Sequence, residues 1–292
     1  MKAELKSHFP CWFLDLKEHS TDYTLILSND YDSLLSCRFL RSTTGIEVGG
    51  YYDFSSGLYL TDNIYESSKK QVFIDVSCFQ DGFLCVDNHR TLARNHMSIN
   101  PNKINVASAL EVDAYKHKYC GSTLMLLVSL FRDSIGTLSE RQKLMLLAVD
   151  GFYLGFFKLC GKYAHINRYW LDLLELSDDL MPLINQPNIV KEIERIKNEC
   201  GLDNVFFLDT DGALREHLPK EPKNVLTSRL VRINDEDEQP RFRRHVLSVR
   251  QTHMDTQDLV KMNHLTDRHI FSAAETRKGK YTLSVLEEAK SA

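Results

Sequence analysis

Acidic side chains follow three short apolar segments of this chain at the points where those segments end. The four aspartates in this position are Asp30, Asp32, Asp75 and Asp87. Carboxylate oxygens are the ligands that hard divalent cations prefer, and two ions held ~3.5–4 Å apart commonly share one bridging carboxylate. Asn88 and His89 add an amide oxygen and an imidazole beside the last aspartate. The repetition predicts a divalent-metal site, whereas a single D-x-D turn is typical of a solvated loop or a helix cap.

The segments before these aspartates have the length and composition of buried parallel strands. They cover residues 23–28, 71–75 and 82–87, and a further strand is predicted at 46–52. Apolar residues between Leu34 and Leu40 recur at helical spacing and stop before Gly45, which predicts a helix after the first strand. Ligand sites of open parallel sheets lie outside the carboxyl ends of the strands. Three strands that end in aspartate can therefore converge on one crevice.

Helices dominate the middle of the chain. They are predicted at 122–132, 139–150, 151–160, 167–176 and 190–199, with Ser139 as an N-cap. We therefore expect an α/β protein in three parts. The parts are an α/β domain over 1–185, built on a parallel sheet with helices on both faces, a helical linker over 186–201, and a small C-terminal α+β domain over 202–292.

The composition is that of a folded globular protein. Hydrophobic residues make up 43% and charged residues 26% of the 292 residues, which argues against a disordered, collagen-like or membrane-spanning chain. The net charge of -4 gives no global attraction to nucleic acid or anionic lipid, so a polyanion would need a local basic patch. The seven cysteines contain no CxxC pair, which argues against a zinc ribbon and predicts reduced thiols in a cytoplasmic protein. The first residues lack the apolar run of a signal peptide, so export is not expected.

The order of the motifs resembles the DHH phosphoesterase superfamily. This superfamily includes single-strand exonucleases, oligoribonucleases, cyclic-dinucleotide phosphodiesterases and manganese pyrophosphatases. The similar segments are 30–36 with its acid pair, 72–75, the Asp-Asn-His-Arg-Thr segment 87–91, the Gly-Ser-Thr segment 121–127, and 146–152 with Asp150. The resemblance implies metal-dependent hydrolysis of a phosphodiester in a short oligonucleotide or nucleotide, with a metal-activated water as the nucleophile.

The resemblance also implies roles for individual residues. One or two Mn²⁺ or Mg²⁺ ions would be held by Asp30, Asp32, Asp75, Asn88 and Asp150. The catalytic residues would be His89, which contacts the phosphate or the leaving oxygen, and Asp87 beside it. Arg90, Ser122 and Thr123 are the candidate substrate contacts of this part of the chain.

Two positions depart from the family pattern. Many members have a histidine ligand four residues before the acid pair, where this chain has Ile26, and the first histidine of Asp-His-His is Asn88 here. An amide oxygen is a weaker ligand than imidazole for Mn²⁺-like ions. The alternative function is therefore that of a catalytically weakened DHH-like subunit, which binds a partner protein or nucleic acid.

A second acidic motif lies at 205–214, where an apolar strand precedes Asp209-Thr-Asp-Gly. It resembles the nucleophile motif of haloacid-dehalogenase-type phosphatases, in which the first acid attacks phosphorus. The chain after Leu214 is short for the sheet and the later lysine and acid motifs of such an enzyme. A strand that ends in a turn is the preferred interpretation.

The C-terminal tail is weakly basic, and its basic residues concentrate in the segment 241–250. Arg243 and Arg244 in this segment are candidate contacts for the phosphates of a nucleic-acid substrate, although basic residues at a strand rim are more often solvated. The predicted partner is a nucleotide or a short single-stranded nucleic acid. A protein partner or a second copy of the chain is the alternative, and no membrane partner is expected.

Overall fold

The computed structural model describes residues 1–91, 100–110, 115–219, 223–255 and 270–287. Its helices are α1 (Ala3–Lys6), α2 (Trp12–Glu18), α3 (Tyr31–Thr44), α4 (Asp62–Tyr65), α5 (Val106–Ala109), α6 (Thr123–Leu130), α7 (Glu140–Ala148), α8 (Leu154–Phe157), α9 (Ala164–Leu173), α10 (Ser177–Ile184) and α11 (Ile189–Cys200). Its strands are β1 (Tyr23–Leu27), β2 (Val48–Asp53), β3 (Gly57–Leu60), β4 (Lys70–Ile74), β5 (Leu84–Val86), β6 (Lys103–Ile104), β7 (Val205–Leu208), β8 (Leu214–His217), β9 (Arg229–Leu230), β10 (Arg244–Asp255), β11 (Ile270–Arg277) and β12 (Lys280–Leu286).

A parallel sheet forms the centre of the molecule. Strands β2, β1, β4, β5 and β6 lie side by side in that order, and each neighbouring pair is parallel. β2 pairs with one edge of β1, and β4, which follows later in the chain, pairs with the other edge. The strand order therefore reverses at β1. A crevice opens at such a point, outside the carboxyl ends of the strands.

The complete sheet is mixed rather than purely parallel. β3 pairs antiparallel with β2, and β10 pairs antiparallel with β3, so the C-terminal strands continue one nine-stranded sheet. The predicted parallel arrangement is confirmed for the part that contains β1, β4 and β5. The sequence does not predict β3, because this strand has only four residues and follows β2 after a short turn.

The sheet curls so that its C-terminal strands cover one face of its own centre. Phe271 of β11 packs against Tyr52 of β2, with ring centroids 4.9 Å apart, and against Phe73 of β4, with centroids 5.4 Å apart. The backbone N–H of Phe79 donates a hydrogen bond of 2.8 Å to the carbonyl of Phe271. The β11–β12 hairpin therefore reaches the loop that follows β4.

The two faces of the sheet bury different partners. Alternation along β1 sends Leu25 and Leu27 into the large core with the helices, while Ile26 packs in a second core cluster. In the described residues of that second cluster, Ile64 of α4 is the helical contribution, and the other members come from strands and loops. Helices were expected on both faces of the sheet. In the described residues, most of them cover one face, and the short α4 lies on the other.

Local sequence signals explain where several helices begin and end. Asp30 caps α3 by accepting a hydrogen bond from the backbone N–H of Ser33, and Gly45 ends the helix with a φ of 80°, a conformation that favours glycine. Ser139 begins α7 in a capping box with Gln142. The sequence does not predict α10, because Pro182 inside this helix has the character of a helix breaker.

A smaller sheet, β7–β8–β9, holds the turn between β1 and α3. The backbone N–H of Phe206 in β7 donates to the carbonyl of Asn29 at 2.8 Å. The hydroxyl of Tyr31 donates to the carboxylate of Glu216 in β8 at 2.6 Å. Two contacts from the small sheet therefore hold the turn that carries the first two predicted metal ligands.

Helix α11 lies within the segment that was predicted to link two domains. It buries Ile189, Ile193 and Ile196 in the large core, so this helix belongs to the packed body of the protein. The helix itself is confirmed, whereas the domain boundaries at 186 and 202 stay a prediction.

Candidate functional site

The N-terminus of α3 carries two of the predicted metal ligands. Asp30 is its N-cap residue, and Asp32 lies in its first turn. The carboxylate of Asp32 accepts hydrogen bonds from the backbone N–H groups of Thr123, at 2.6 Å, and Leu124, at 2.9 Å. These groups open α6, and the positive end of a helix stabilises a nearby carboxylate. The N-termini of α3 and α6 therefore meet at Asp32.

Asp75 follows β4 directly and is only 2% exposed. Its Oδ1 atom accepts a hydrogen bond of 2.8 Å from the hydroxyl of Thr123. Its φ of 59° is uncommon outside glycine, although aspartate and asparagine adopt it more readily than other residues. Asp150 has a similar φ of 55°. Two predicted ligands thus share a backbone conformation that clusters at functional sites.

Asp150 comes after α7 and contacts Asn88. The side-chain nitrogen of Asn88 donates to Oδ2 of Asp150 at 2.5 Å and to the carbonyl of Gly121 at 2.9 Å. Asn88 therefore turns its amide nitrogen toward the acids. Its Oδ1 atom is buried and accepts no hydrogen bond from the described residues.

Asp30, Asp32, Asp75 and Asp150, called the acid cluster from here on, repel one another. Burial, followed by the charge of Asp150, raises the pKa of Asp30 to about 6. Burial also raises the pKa of Asp32 and of Asp75 well above the usual range, and the other carboxylates of the cluster add to this effect. Within the described ranges, no lysine or arginine forms an ion pair with these three aspartates. The acid cluster thus concentrates negative charge that a cation would neutralise.

The donor atoms and the charge of the acid cluster suit a divalent cation, but the arrangement of its side chains does not. The cluster supplies carboxylate oxygens, which hard divalent cations prefer. Among the residues that the structure describes, no group of three or more His, Cys, Asp or Glu side chains is arranged to hold a metal ion. The Asn88 amide also donates a hydrogen bond to Oδ2 of Asp150.

Asp87 pairs with cationic groups rather than with the acid cluster. Its fully buried carboxylate lies 2.8 Å from Nζ of Lys103. The Nδ1 atom of His89 is 3.4 Å from Oδ1 of Asp87 and 3.8 Å from Oδ1 of Asp75. Burial acts to raise the pKa of Asp87, but Lys103 and His89 outweigh it, and the net pKa is lowered. Burial acts to lower the pKa of His89, but Asp87, Asp150 and Asp30 outweigh it, and the net pKa is raised.

A cleft of about 1240 Å³ opens beside Asn88, His89 and Asp150. Four basic side chains line this cleft: Arg90, Lys116, Lys118 and Lys278. Tyr163 and Tyr281 add aromatic surface. A concave site with basic walls next to a group of carboxylates suits a ligand that carries phosphate.

The predicted substrate contacts near the acid cluster are engaged within the protein. Arg90 lines the cleft, but its Nη1 atom lies 2.5 Å from the carboxylate of Glu275 in β11. The Ser122 hydroxyl caps α6 by accepting from the backbone N–H of Met125. Thr123 holds Asp75 and Asp32, as described above. Ser122 and Thr123 are fully buried and do not line the cleft, and only Thr123 contacts the acid cluster.

The two predicted phosphate contacts of the tail lie elsewhere. Arg243 lines a separate cavity of about 430 Å³, and its Nε donates to the carbonyl of Asp211 at 3.0 Å. Arg244 forms an exposed ion pair of 2.5 Å with Asp62 and lies over the ring of Tyr65. The structure does not bring these arginines together with the acid cluster.

The second acidic motif forms the turn of the β7–β8 hairpin. Oδ1 of Asp209 accepts hydrogen bonds from the backbone N–H groups of Asp211, at 3.0 Å, and Ala213, at 2.9 Å. Oδ2 of Asp209 lies 2.9 Å from Nε of Arg215. Both carboxylate oxygens are thus used by the turn, which agrees with the interpretation of a strand that ends in a turn rather than with a phosphatase nucleophile.

Asp209→Asn should destabilise the fold and leave any hydrolytic activity unchanged. Burial acts to raise the pKa of Asp209, but the two backbone N–H groups and Arg215 outweigh it, and the net pKa is lowered. The carboxylate therefore stabilises the fold above its unfolded pKa, and this contribution is lost as the pH falls through the lower folded pKa. We expect the free energy of unfolding to drop by about 1–2 kcal/mol at pH 7. In urea titrations the difference from the parent protein should shrink at low pH, and a pH-independent difference would contradict this role.

Three residues near the site were not predicted from the sequence: Lys103, Asn105 and Glu275. Lys103 begins the two-residue strand β6 between Asn102 and Ile104, and no local pattern in the sequence indicates that this lysine is buried. Asn105 is the N-cap residue of α5, and because its position indicates this capping role, its contacts with the site were not predicted. Glu275 pairs with Arg90 from 185 residues away, and nothing local in the sequence indicates this contact.

No protein-family model, no curated protein and no solved structure matches the chain. The resemblance to the DHH phosphoesterases therefore depends on the order of the motifs and on the placement of their side chains. In the described part of the chain, no helix has both the length and the apolar composition that crossing a membrane requires.

Proposed function

We propose that this chain is a divalent-metal-dependent phosphoesterase that hydrolyses a phosphodiester of a short oligonucleotide or nucleotide. One observation carries the proposal: the acid cluster and His89 converge beside a cleft with basic walls. The carboxylates come from the carboxyl ends of β1 and β4 and from the end of α7, as the DHH-like order of motifs implies. In this proposal, a metal ion and a phosphate would bind next to each other at this end of the sheet.

In this proposal, the acid cluster would hold one or two Mn²⁺ or Mg²⁺ ions. Asn88 would add its Oδ1 atom as a further ligand after its amide group turned away from Asp150. The chemistry that the ions supply is activation of the attacking water. Burial acts to lower the pKa of His89, but Asp87 outweighs it and favours the charged imidazole, which would stabilise the negative charge that develops on the leaving oxygen. The basic walls of the cleft bind the phosphates that flank the scissile bond, and Arg90 fixes the wall formed by the β11–β12 hairpin.

A second candidate function is that of a catalytically weakened subunit that binds nucleic acid or a protein partner. The contact between Asn88 and Asp150 favours it, because an amide hydrogen then occupies an oxygen that a metal ion would need. In this case the cleft would still bind a phosphate-bearing ligand, but without hydrolysis. The two functions differ in one measurable property, which is turnover in the presence of a divalent ion.

The test is hydrolysis of a panel of phosphodiesters by purified protein, with Mn²⁺, with Mg²⁺ and with EDTA. The panel contains bis(p-nitrophenyl) phosphate, dinucleotides and a short single-stranded oligonucleotide. The proposed function predicts turnover that requires the metal and that Asp30→Asn removes. Binding of the oligonucleotide without any turnover would favour the second candidate.

The basic walls of the cleft should contribute to substrate affinity more than to the chemical step. Replacing Lys116 and Lys278 by methionine should raise KM for an oligonucleotide about tenfold and leave kcat nearly unchanged. The slope of the logarithm of affinity against the logarithm of salt concentration should become less negative by about one to two. Lys191→Met, on the exposed face of α11, is the matched control and should change neither quantity. An unchanged salt dependence in the double variant would remove these lysines from the site.

A further inference from the structure

Lys103 of β6 is a fully buried cation next to the candidate site. Its side chain is 1% exposed, and its Nζ atom lies 2.8 Å from Oδ2 of Asp87. The same ammonium group donates to the hydroxyls of Ser77 and Thr91, each at 2.5 Å. All three of its hydrogens therefore have an acceptor. Because a buried charge is costly unless it is paired in this way, the contact constrains the atoms around it.

The remaining positions around the Asp87 carboxylate are also occupied by protein donors. The side-chain nitrogen of Asn105 donates to Oδ2 of Asp87 at 3.2 Å and to the carbonyl of His89 at 2.8 Å. The backbone N–H of His89 donates to Oδ1 of Asp87 at 2.6 Å. Asp87 is fully buried and does not line the cleft. The carboxylate is thus directed at the segment that carries Asn88 and His89, rather than at a substrate.

We propose that Lys103 is a positioning residue, which fixes the carboxylate of Asp87 and through it the backbone and the imidazole ring of His89. Asn105 supports the same arrangement from the start of α5. The connection runs from a lysine at the edge of the sheet to a ring that faces the cleft. The kinetic consequence rests on the proposed function, whereas the placement of the ring does not. Neither the acid cluster nor the basic walls of the cleft include Lys103.

The experiment compares Lys103→Met with the parent protein by NMR of ¹⁵N-labelled histidine side chains. The chain has 11 histidines, and a His89→Gln variant identifies the His89 signals. We expect the ring-nitrogen signals of His89 to move in Lys103→Met, because Asp87 loses its cation and the ring loses a fixed neighbour. Ser77→Ala, which removes one acceptor of Lys103 but keeps the ion pair, is the matched control and should leave these signals nearly in place. Unchanged His89 signals in a folded Lys103→Met protein would overturn the inference.

A second variant covers the case in which Lys103→Met fails to fold. Lys103→Met combined with Asp87→Asn removes both charges of the buried pair and should restore folding. Because Asp87 itself contacts His89, Asp87→Asn alone is the reference for this double variant. If Lys103 acts on the ring through Asp87, adding Lys103→Met to Asp87→Asn should leave the His89 signals in place, and a further displacement would overturn the inference.

The kinetic readout separates this inference from the proposed function. Where the parent protein hydrolyses a phosphodiester, Lys103→Met should lower kcat by about tenfold to a hundredfold. KM should change little, since the basic walls of the cleft are intact. A parent protein without turnover would contradict the proposed function and leave the NMR result as the test of the placement. A shift of KM alone would contradict a positioning role.

Discussion

Asp75→Asn should abolish metal-dependent hydrolysis and weaken Mn²⁺ binding by at least about a hundredfold. Asp75 follows β4 and is electrostatically coupled to Asp32, Asp30 and Asp150, so its carboxylate belongs to the acid cluster. Loss of outer partners of metal sites already costs about tenfold to a hundredfold, and loss of a carboxylate ligand should cost no less. Asparagine is the preferred replacement, because it tolerates the φ of 59° at this position better than alanine does. Calorimetry with Mn²⁺ and a hydrolysis assay measure the two effects.

The same variant should make the metal-free protein more stable. Burial and neighbouring carboxylates raise the pKa of Asp75, so its ionised form costs stability at neutral pH. A neutral asparagine keeps an oxygen for the Thr123 hydroxyl and removes this cost. We expect the free energy of unfolding to rise by about 1 kcal/mol or more. Weaker metal binding in a more stable protein distinguishes a lost ligand from a damaged fold.

Asp53→Asn is the matched control for Asp75→Asn. Asp53 is also a buried aspartate at the end of a strand, but its carboxylate accepts hydrogen bonds from the turn residues Ser55 and Ser56. The control should lose stability and keep its affinity for Mn²⁺. Equal losses of Mn²⁺ affinity in the two variants would mean that the acid cluster is not the metal site.

Asn88→His should increase the affinity for Mn²⁺ by about tenfold or more. An imidazole is a better ligand than an amide for Mn²⁺-like ions. The replacement also removes the hydrogen bond of 2.5 Å from the Asn88 amide to Asp150, which frees a carboxylate oxygen. Calorimetric titration with Mn²⁺ measures the gain directly, and a hydrolysis assay shows whether turnover rises with it.

Asn88→Ala separates these two causes. It removes the amide that occupies Asp150 but supplies no ligand, so its Mn²⁺ affinity should stay below that of Asn88→His. Equal affinity in the two variants would mean that the amide blocks the site and that the imidazole does not coordinate. No change in Asn88→His would mean that position 88 does not face the ion.

Periodicity and turn residues predict the central part of the fold correctly. β1 and β5 lie within the predicted strands, β4 begins one residue before its predicted strand, and α3 ends before Gly45 as expected. The mixed character of the sheet is not accessible in this way, because β3 and β10 pair over more than 180 residues and depend on tertiary contacts. Ile26 packs in the second core cluster, on an apolar face of β1.

The candidate site is predicted in part by the same local signals. An aspartate after a strand is visible in the sequence, and the structure gathers three such acids with Asp150, which follows α7, into one cluster. The direction of the Asn88 amide and the use of Ser122 and Thr123 as internal contacts depend on hydrogen bonds that no spacing rule indicates. The pairing of Lys103 with Asp87 was not predicted, because the motif resemblance implied a catalytic role for Asp87 instead of an ion pair.

Titration of the parent protein with Mn²⁺ in a calorimeter tests the central claim most directly. The account predicts saturable binding of at least one ion at neutral pH, and it predicts that Asp75→Asn loses this binding while Asp53→Asn keeps it. An absence of binding heat from the folded parent protein, at Mn²⁺ concentrations up to the millimolar range, would contradict the account.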